Sequence, residues 1–400
     1  MAPVPVSSFE RIVQPGSPYT GLQQRLMYMQ RSPRRAWTNV VENVPCWPVA
    51  PGHAAISPGE LSSYPMCTGE PALIEAIIRR EKRLYGLDLT EGEVLVTGGA
   101  LHAVSLIFRE LARPGATVLC QAPVFTSIGQ MFDAYGYRTR FFGSRDGELD
   151  ADELRAMARE GATAIYVNTP NNPTGVVLSP RALQTLLEIS AEYGLRLIVD
   201  MVYDSFSFDA HALTLTLLRE AAERWGRVYT VNSLSKNYGS PGLRIGWILS
   251  APENLLPLSG LLERECVAIS GVSQAQAAYL LERGNAELVE HVRQGREVLM
   301  ARLARTEGLE VCRPAGGTQA FVRLPVDDVE VFGDYALSRH GLALATRSQY
   351  RGVEGPFIRF PLGAPREVAE RALELLGEAL ACYPGRVEPE VQAPRTRVGS

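Results

Sequence analysis

Short apolar segments recur along the middle of the chain, and each ends in residues that favour turns. They are EVLVTGG (93–99), TVLCQAP (117–123), AIYVNTP (164–170), RLIVDM (196–201), RVYTVNS (227–233) and GWILS (246–250). Between several of them the apolar positions change to helical spacing, as in residues 100–112 and 180–194. Strands that alternate with helices predict an α/β domain with a largely parallel sheet, and near-continuous apolar strands predict that both faces of that sheet are buried.

The pattern differs on both sides of this central region. Residues 1–60 are irregular and rich in Pro, Gly, Ser and Arg, which predicts an N-terminal arm or lid. A large domain is expected over 61–284, and it includes an amphipathic helix at 70–87. A long helix, short strands and a last helix then predict a smaller α+β domain over 285–385. The polar, proline-bearing residues 386–400 are expected to form a mobile tail.

The composition excludes several classes of function. The chain has 400 residues and a formal net charge of −4, so it lacks the basic surface expected for binding nucleic acid or an anionic membrane. Its six cysteines and five histidines are scattered, so neither a disulfide framework nor a metal site is expected. Neither a signal peptide nor an apolar run of about 18–20 residues is visible, which predicts a cytoplasmic protein without a membrane span.

Lysine is rare in this chain, and one of its lysines follows a predicted strand. Lysine and arginine together number 40, but only Lys82 and Lys236 are lysines. Lys82 lies among arginines in the predicted helix at 70–87, where a solvated basic face is expected. Lys236 follows the strand at 227–233. A lysine amine can lose its proton and attack a carbonyl, whereas an arginine guanidinium stays charged, so Lys236 is the candidate nucleophile.

Candidate cofactor-binding residues lie at the same predicted sheet edge, where ligands bind in parallel α/β proteins. After the first strand two consecutive glycines allow a tight turn, and the amides of Gly99, Ala100 and Leu101 can then point at a phosphate. Phe125 follows the second strand, and its ring can cover a flat cofactor. A plain strand-to-helix turn and a core phenylalanine are the alternatives.

The next two strand ends supply an amide and a carboxylate. Asn172 lies in the rigid turn NTPNNPTG, where it can donate a hydrogen bond to a phenolic oxygen. Asp200 ends the following strand, with Tyr203 three residues later, and a carboxylate buried there needs a partner such as a protonated ring nitrogen. A helix N-cap is the alternative for Asp200. Together with Lys236 this set matches pyridoxal 5′-phosphate (PLP), which needs a lysine Schiff base and an acid at its pyridine nitrogen.

These motifs resemble the class I and II aminotransferase family of fold type I PLP enzymes over residues 60–385. The segment SLSKNYGSPGLRIG is similar to the family's S-x-S-K-x-x-G-x-x-G-x-R-x-G. That similarity implies Lys236 as the Schiff-base lysine, and Ser233 and Arg244 as contacts of the cofactor phosphate. The resemblance also implies the family's fold, in which a mostly parallel seven-stranded sheet is flanked by helices and joined to a smaller α+β domain.

Other segments of the chain carry the same resemblance. NNPTG implies Asn172 at the cofactor ring oxygen, and VDMVYDSF implies Asp200 on the pyridine nitrogen with Tyr203 on the ring oxygen. VTGGALHAV resembles the family's phosphate turn at Gly99, and APVF resembles the segment that stacks a ring, here Phe125, on the cofactor.

The resemblance further implies a homodimer with shared active sites. SSYPMCTGEPALIEAI resembles the segment whose tyrosine, here Tyr64, reaches the phosphate of the neighbouring subunit, and PFIRFPLG implies Arg359 on the substrate α-carboxylate. The segment AWTNVVENVPCWPVAPGHAAIS departs from the family pattern. Within it Glu42, Trp47 and His53 are candidate substrate contacts, and a surface arm is the alternative for each.

The implied reaction is transamination of an amino acid. Arg359 would hold the substrate carboxylate, Asn172 would line the same pocket, and Lys236 would take the Cα proton as a general base. A specialised PLP reaction stays open, such as elimination, replacement or cyclisation on S-adenosylmethionine or arginine, or oxidation. A non-catalytic effector-binding domain is a further alternative, and a dehydrogenase is disfavoured because no G-x-G-x-x-G is present.

Overall fold

The computed structural model describes residues 37–208 and 226–387 of the chain. The predicted lid residues 1–36 and the tail residues 388–400 lie outside these ranges. The strands, in chain order, are β1 (Thr38–Asn39), β2 (Val94–Thr97), β3 (Thr117–Gln121), β4 (Val124–Phe125), β5 (Arg138–Phe142), β6 (Ala164–Asn168), β7 (Arg196–Asp200), β8 (Val228–Ser233), β9 (Gly246–Leu249), β10 (Glu310–Val311), β11 (Gln319–Arg323), β12 (Leu342–Ala343), β13 (Ala345–Thr346), β14 (Tyr350–Arg351) and β15 (Phe357–Pro361).

The helices of the described residues connect these strands and cover them. In chain order they are α1 (Pro58–Ser62), α2 (Pro71–Tyr85), α3 (Ala100–Leu111), α4 (Thr126–Ala134), α5 (Ala151–Arg159), α6 (Pro180–Tyr193), α7 (Leu234–Asn237), α8 (Pro252–Cys266), α9 (Gly271–Arg283), α10 (Ala286–Leu303), α11 (Val329–Tyr335) and α12 (Arg366–Cys382). Local sequence sets their ends: α2 stops at Gly86, which adopts φ 70°, and Ser179 caps the first turn of α6 with its side chain.

A seven-stranded sheet forms the large part of the fold, in the order β2-β9-β8-β7-β6-β3-β5. The predicted mostly parallel α/β sheet is confirmed, and all six apolar segments form strands. β9 runs antiparallel to both β2 and β8. The edge strand β5 was not predicted, since its sequence RTRFF mixes charged and apolar residues. The carboxyl ends of the parallel strands form one edge of the sheet.

The described residues form two large apolar cores and two small apolar clusters. The first contains residues from Leu73 to Leu281 on both faces of the large sheet. The second joins Val40 to residues from Leu299 to Tyr383, around an antiparallel sheet in the order β10-β11-β15-β13. β1 pairs with β12 near this second core, so the chain enters the described fold there before it crosses to the large sheet. The domain limits 61–284 and 285–385 stay a prediction.

Candidate active site

The first predicted phosphate ligands lie in a tight turn between β2 and α3. Gly99 adopts φ 90° and begins α3 without a side-chain cap, so the amides of Ala100 and Leu101 at the helix N-terminus remain available to an anion. The Arg244 guanidinium covers this turn and donates to the Gly98 carbonyl at 3.1 Å. A Cβ on Gly99 would lie 2.5 Å from Arg244 Nη2, so a larger residue cannot be accommodated there without displacing the arginine.

Arg244 reaches this turn from the second half of the SLSKNYGSPGLRIG segment that carries Lys236. It adopts φ 55°, a left-handed conformation that is uncommon for a residue with a side chain. Gly246, at the start of β9, passes so close to the turn that a Cβ would lie 2.7 Å from the Gly99 carbonyl carbon. Ser233 lies buried at the end of β8 and begins α7, the short helix that carries Lys236. The phosphate residues predicted from separate motifs are therefore brought together.

Asp200 lies buried at the end of β7, as the strand pattern predicts. Its Oδ2 accepts a hydrogen bond from the Tyr166 hydroxyl at 2.8 Å, and its Oδ1 accepts one from the Val202 amide at 3.1 Å. Burial raises the pKa of the Asp200 carboxyl to about 6, while the hydrogen bonds from Tyr166 and Val202 act in the opposite direction. A buried carboxylate with acceptor capacity left is the group that a protonated ring nitrogen needs.

Lys236 is half-buried, and its Nζ donates to the main-chain carbonyl of Asn43 at 2.7 Å. Burial, together with the nearby positive charges of Arg359 and Arg244, lowers the pKa of its amine to about 7, although Glu42 acts in the opposite direction. A pKa near 7 leaves a substantial fraction of the amine neutral near neutral pH. That neutral form is able to accept a proton or attack a carbonyl.

Arg359, on β15, contacts the same N-terminal segment as Lys236, namely residues Val41 to Asn43. β15 is held between β11 and β13, where Arg359 is paired with Phe321 and Ala345. The guanidinium is buried, its Nη2 donates to the Val41 carbonyl, and its Nε has no hydrogen-bond partner among the described residues. A buried guanidinium with an unsatisfied donor is suited to a carboxylate, which can accept two parallel hydrogen bonds.

Asn43 is a central residue of this site that sequence reasoning did not identify. Besides the Lys236 contact through its carbonyl, its side-chain amide donates to Gln319 Oε1 at 2.7 Å and to the Tyr203 hydroxyl at 3.2 Å. Its Oδ1 accepts from the Thr318 hydroxyl at 3.0 Å. The side chain is buried and links the N-terminal segment, the large sheet and the smaller sheet. The neighbouring Glu42 was predicted as a substrate contact, so the segment was recognised but not its buried member.

The remaining predicted residues occupy several positions around this group. Asn172 accepts a hydrogen bond from the Tyr350 hydroxyl at 3.5 Å, and the strand that carries Tyr350 pairs with Phe125. Tyr203 is buried beside Asn43. Tyr64 is 88% exposed, far more than a core tyrosine, so it is available to another molecule. The roles of these residues stay a prediction.

Two of the candidate substrate contacts have other partners. The Trp47 indole donates to the Tyr238 carbonyl at 2.8 Å, and the Arg283 guanidinium lies 4.7 Å from its ring centre. His53 is exposed, with its Nδ1 3.3 Å from the Ala54 carbonyl oxygen. Glu42 is also exposed, but it lies between Val41 and Asn43, whose carbonyls bind Arg359 and Lys236. Of the three, Glu42 lies nearest in sequence to the site contacts.

The residues present fit PLP. A glycine turn at a helix N-terminus with Arg244 above it suits a phosphate, and buried Asp200 suits a protonated pyridine nitrogen. Lys236 supplies the amine that the cofactor aldehyde requires, at a lowered pKa. The orphaned Nε of Arg359 suits a carboxylate of the substrate.

Comparison with known proteins identifies the family. The sequence model of aminotransferase class I and II matches residues 34–376. The chain belongs to this family. The family resemblance inferred from the motifs is therefore confirmed, and so are PLP as cofactor and aminotransferase chemistry.

Two curated aminotransferases are similar along almost the whole chain. An L-aspartate:5-guanidino-3-methyl-2-oxopentanoate transaminase from Pseudomonas syringae pv. syringae is 40% identical over 93% of this chain and 97% of that protein. The 3-methylarginine biosynthesis aminotransferase ArgM from Streptomyces arginensis is 35% identical over 89% of this chain and 95% of that protein.

A solved aminotransferase structure supports the fold. The aspartate aminotransferase of Thermotoga maritima superposes with a TM-score of 0.79, at 22% identity, over 92% of this chain and 98% of that one. The predicted fold of the family is confirmed by this similarity. In the described part of the aminotransferase, no helix is long and apolar enough to cross a membrane.

Proposed function

We propose that this aminotransferase exchanges an amino group between L-aspartate and a guanidino 2-oxo acid related to arginine. Aspartate would lose its amino group and become oxaloacetate, while the oxo acid would become the corresponding guanidino amino acid. The observation that carries the reaction class is that Lys236 and Arg359 both donate to carbonyls of one three-residue segment, Val41 to Asn43. These contacts support a site in which the Lys236 amine would accept a proton beside a guanidinium that would bind the substrate carboxylate.

The choice of substrate is supported by the two relatives described above. One is named for aspartate and a guanidino-methyl-oxopentanoate, and the other for 3-methylarginine biosynthesis. They cover 93% and 89% of this chain. This similarity favours a transaminase of secondary metabolism over the elimination, cyclisation and oxidation alternatives. Glu42 supplies a carboxylate of the charge that a guanidinium requires, next to the residues that contact Lys236 and Arg359.

The cofactor would be held by residues at the edge of the large sheet. Gly99, Ala100 and Leu101 would bind the phosphate through their amides, together with Ser233 and Arg244. Asp200 would hold the protonated ring nitrogen, Asn172 and Tyr203 would donate to the ring oxygen, and Phe125 would cover the ring. When bound there, PLP supplies the electron sink that stabilises the negative charge left at the substrate Cα.

The chain's own side chains then bind the substrate and move its protons. Arg359 would bind the α-carboxylate through its buried guanidinium, whose Nε has no hydrogen-bond partner among the described residues. Lys236 would take the Cα proton, since its lowered pKa keeps the amine partly neutral near pH 7. Asn43 would hold Lys236 and Tyr203 in fixed relative positions, because its carbonyl accepts from Lys236 and its side-chain amide donates to the Tyr203 hydroxyl.

A homodimer in the cytoplasm belongs to the same proposal. Tyr64 is 88% exposed in the single chain, and its segment resembles the one that reaches a neighbouring subunit. Both observations support a role for Tyr64 in the active site of a second copy. Exposed apolar side chains nearby, such as Leu61 and Met66, would be covered by such a contact. Measurement of the mass of the purified protein in solution, by light scattering, tests the dimer directly.

Turnover with defined substrates tests the proposed reaction. The purified protein with PLP is given L-aspartate and 5-guanidino-2-oxopentanoate, with or without a 3-methyl group, and oxaloacetate is measured with malate dehydrogenase and NADH. We expect both guanidino oxo acids to be accepted, and their relative kcat/KM to show whether the methyl group matters. If oxaloacetate forms with 2-oxoglutarate but with neither guanidino oxo acid, the substrate assignment is wrong and the aminotransferase assignment remains.

The Glu42→Gln variant tests recognition of the guanidino group. We expect the KM for the guanidino oxo acid to rise by about tenfold, which is the effect of losing one charge-assisted hydrogen bond. The KM for L-aspartate should stay unchanged, because its side chain carries no cation. Glu42 also raises the pKa of Lys236, but that influence acts on both half-reactions through the same lysine. An equal change in both KM values would contradict a role in guanidinium recognition.

A further inference from the structure

We infer that Tyr166 is a positioning residue that fixes the Asp200 carboxylate for the cofactor ring nitrogen. The inference rests on the proposed role of Asp200. Tyr166 was not among the residues that the sequence motifs suggested, because it lies within β6 in an apolar strand. The contact that assigns it is the 2.8 Å hydrogen bond from its hydroxyl to Asp200 Oδ2.

The sheet register explains how Tyr166 reaches this carboxylate. β6 and β7 are parallel, with Asn168 opposite Asp200 and Tyr166 opposite Ile198, so Tyr166 is one pleat behind Asp200 on the same face. Its ring lies among Phe108 and Phe132, with ring centres 6.3 and 5.8 Å away. Packing of this kind holds the ring in place, so the hydroxyl approaches Asp200 from the core side.

The hydrogen bonds to Asp200 leave room for a ligand. A carboxylate has about four acceptor positions, and Tyr166 and the Val202 amide each use one on a different oxygen. The remaining acceptor positions are available to a protonated ring nitrogen. The other titratable groups that interact with this pair are the Tyr203 hydroxyl and the Cys120 thiol, and both are neutral near pH 7, because burial raises the pKa of each. Tyr166 therefore donates to the carboxylate without bringing a charge.

The Tyr166→Phe variant removes this donor and keeps the ring. We expect the dissociation constant of PLP from the apoenzyme to rise by about tenfold or more, as for an ionised acceptor that loses one donor. The pH at which the visible absorption of the bound cofactor changes should also move upward, because loss of the Tyr166 donor raises the pKa of Asp200 and leaves less positive charge on the ring nitrogen. Both readouts are independent of turnover.

Tyr137→Phe is a matched control within the same aromatic cluster. Tyr137 is buried, its ring lies 5.4 Å from Phe108, and its hydroxyl donates to the Phe108 carbonyl at 2.8 Å, away from Asp200. We expect this variant to keep the PLP dissociation constant and the absorption profile of the original protein. If both tyrosine variants behave alike, whether unchanged or equally weakened, the assignment of Tyr166 is overturned.

A double-mutant cycle with Asp200→Asn separates this inference from the proposed site. If Tyr166 acts through Asp200, the Tyr166→Phe change should alter the PLP dissociation constant less than twofold, or about 0.4 kcal/mol, when it is made in the Asp200→Asn background. An equal effect in both backgrounds would overturn the inference. If Asp200→Asn alone leaves PLP binding and absorption unchanged, the proposed role of Asp200 fails as well.

Discussion

Replacement of Lys236 by arginine should abolish turnover, with a loss of at least about four orders of magnitude. The variant keeps a cation that can donate to the Asn43 carbonyl, so the fold and the local hydrogen bond are expected to survive. It lacks an amine that can lose its proton, because a guanidinium stays charged at any accessible pH. Steady-state kinetics measures the loss of turnover. The mass of the protein after borohydride reduction with PLP measures the loss of covalent cofactor binding, since only an amine can retain the cofactor covalently.

Lys82→Arg is the matched control for this experiment. Lys82 is the second lysine of the chain, and its exposed amine lies 2.5 Å from Asp88 Oδ1 on the protein surface. The prediction that it lies on a solvated face is borne out by this exposure. Arginine can replace it in that ion pair, so turnover and cofactor retention should equal those of the original protein. Turnover of Lys236→Arg within tenfold of this control would refute the assignment of the cofactor lysine.

The parts of the site that could be predicted from the sequence are those set by short local motifs. Asp200 ends an apolar strand, and Gly99 and Lys236 come shortly after one, so the strand pattern and the edge rule of parallel sheets place them together without coordinates. Asn43 has no such signal. Its role depends on contacts with Tyr203 and Gln319, which are 160 and 276 residues away in sequence. Contacts at such separations are determined by the tertiary fold and not by local pattern.

Arg80 shows a second limit of sequence reasoning. It lies in a run of basic residues, which indicates a solvated face, yet its side chain is fully buried. The signal was present in the helical spacing, because position 80 lies three residues after Ile77 and seven after Leu73, on the buried face of α2. Composition alone favoured the exposed interpretation. A charged residue on an apolar stripe should instead predict a buried partner of opposite charge.

Arg80 has two buried acidic partners, and one of them, Asp204, lies next to the active site. Arg80 Nη2 donates to Asp204 Oδ1 at 2.6 Å, and Arg80 Nη1 donates to Glu81 at 2.7 Å. Asp204 Oδ2 accepts further hydrogen bonds from Tyr85 at 2.8 Å and from Asn232 at 2.9 Å. Asp204 directly follows Tyr203, so this buried network supports the segment that carries a proposed cofactor contact.

Replacement of Arg80 by methionine should lower the free energy of unfolding by about 3–5 kcal/mol, the cost of leaving a buried charge without its partner. Methionine fills much of the same space, so the loss reflects charge more than volume. Asp204 and Glu81 would then share a dry site without a cation. Burial already raises the pKa of Glu81 to about 7 while Arg80 is present. Urea titration at fixed protein and PLP concentrations measures the difference.

Arg79→Met is the control, because the two arginines are adjacent but differ in burial. The Arg79 side chain is 52% exposed, and it pairs with Glu282 at 2.7 Å and with Glu75 at 3.2 Å on the surface. Exposed pairs of this kind contribute about 0–1 kcal/mol each, since water and salt screen them. The destabilisation should therefore be several times larger at position 80 than at position 79. Equal losses in the two variants would show that the buried network contributes no more than a surface ion pair, and that Tyr203 is held by packing instead.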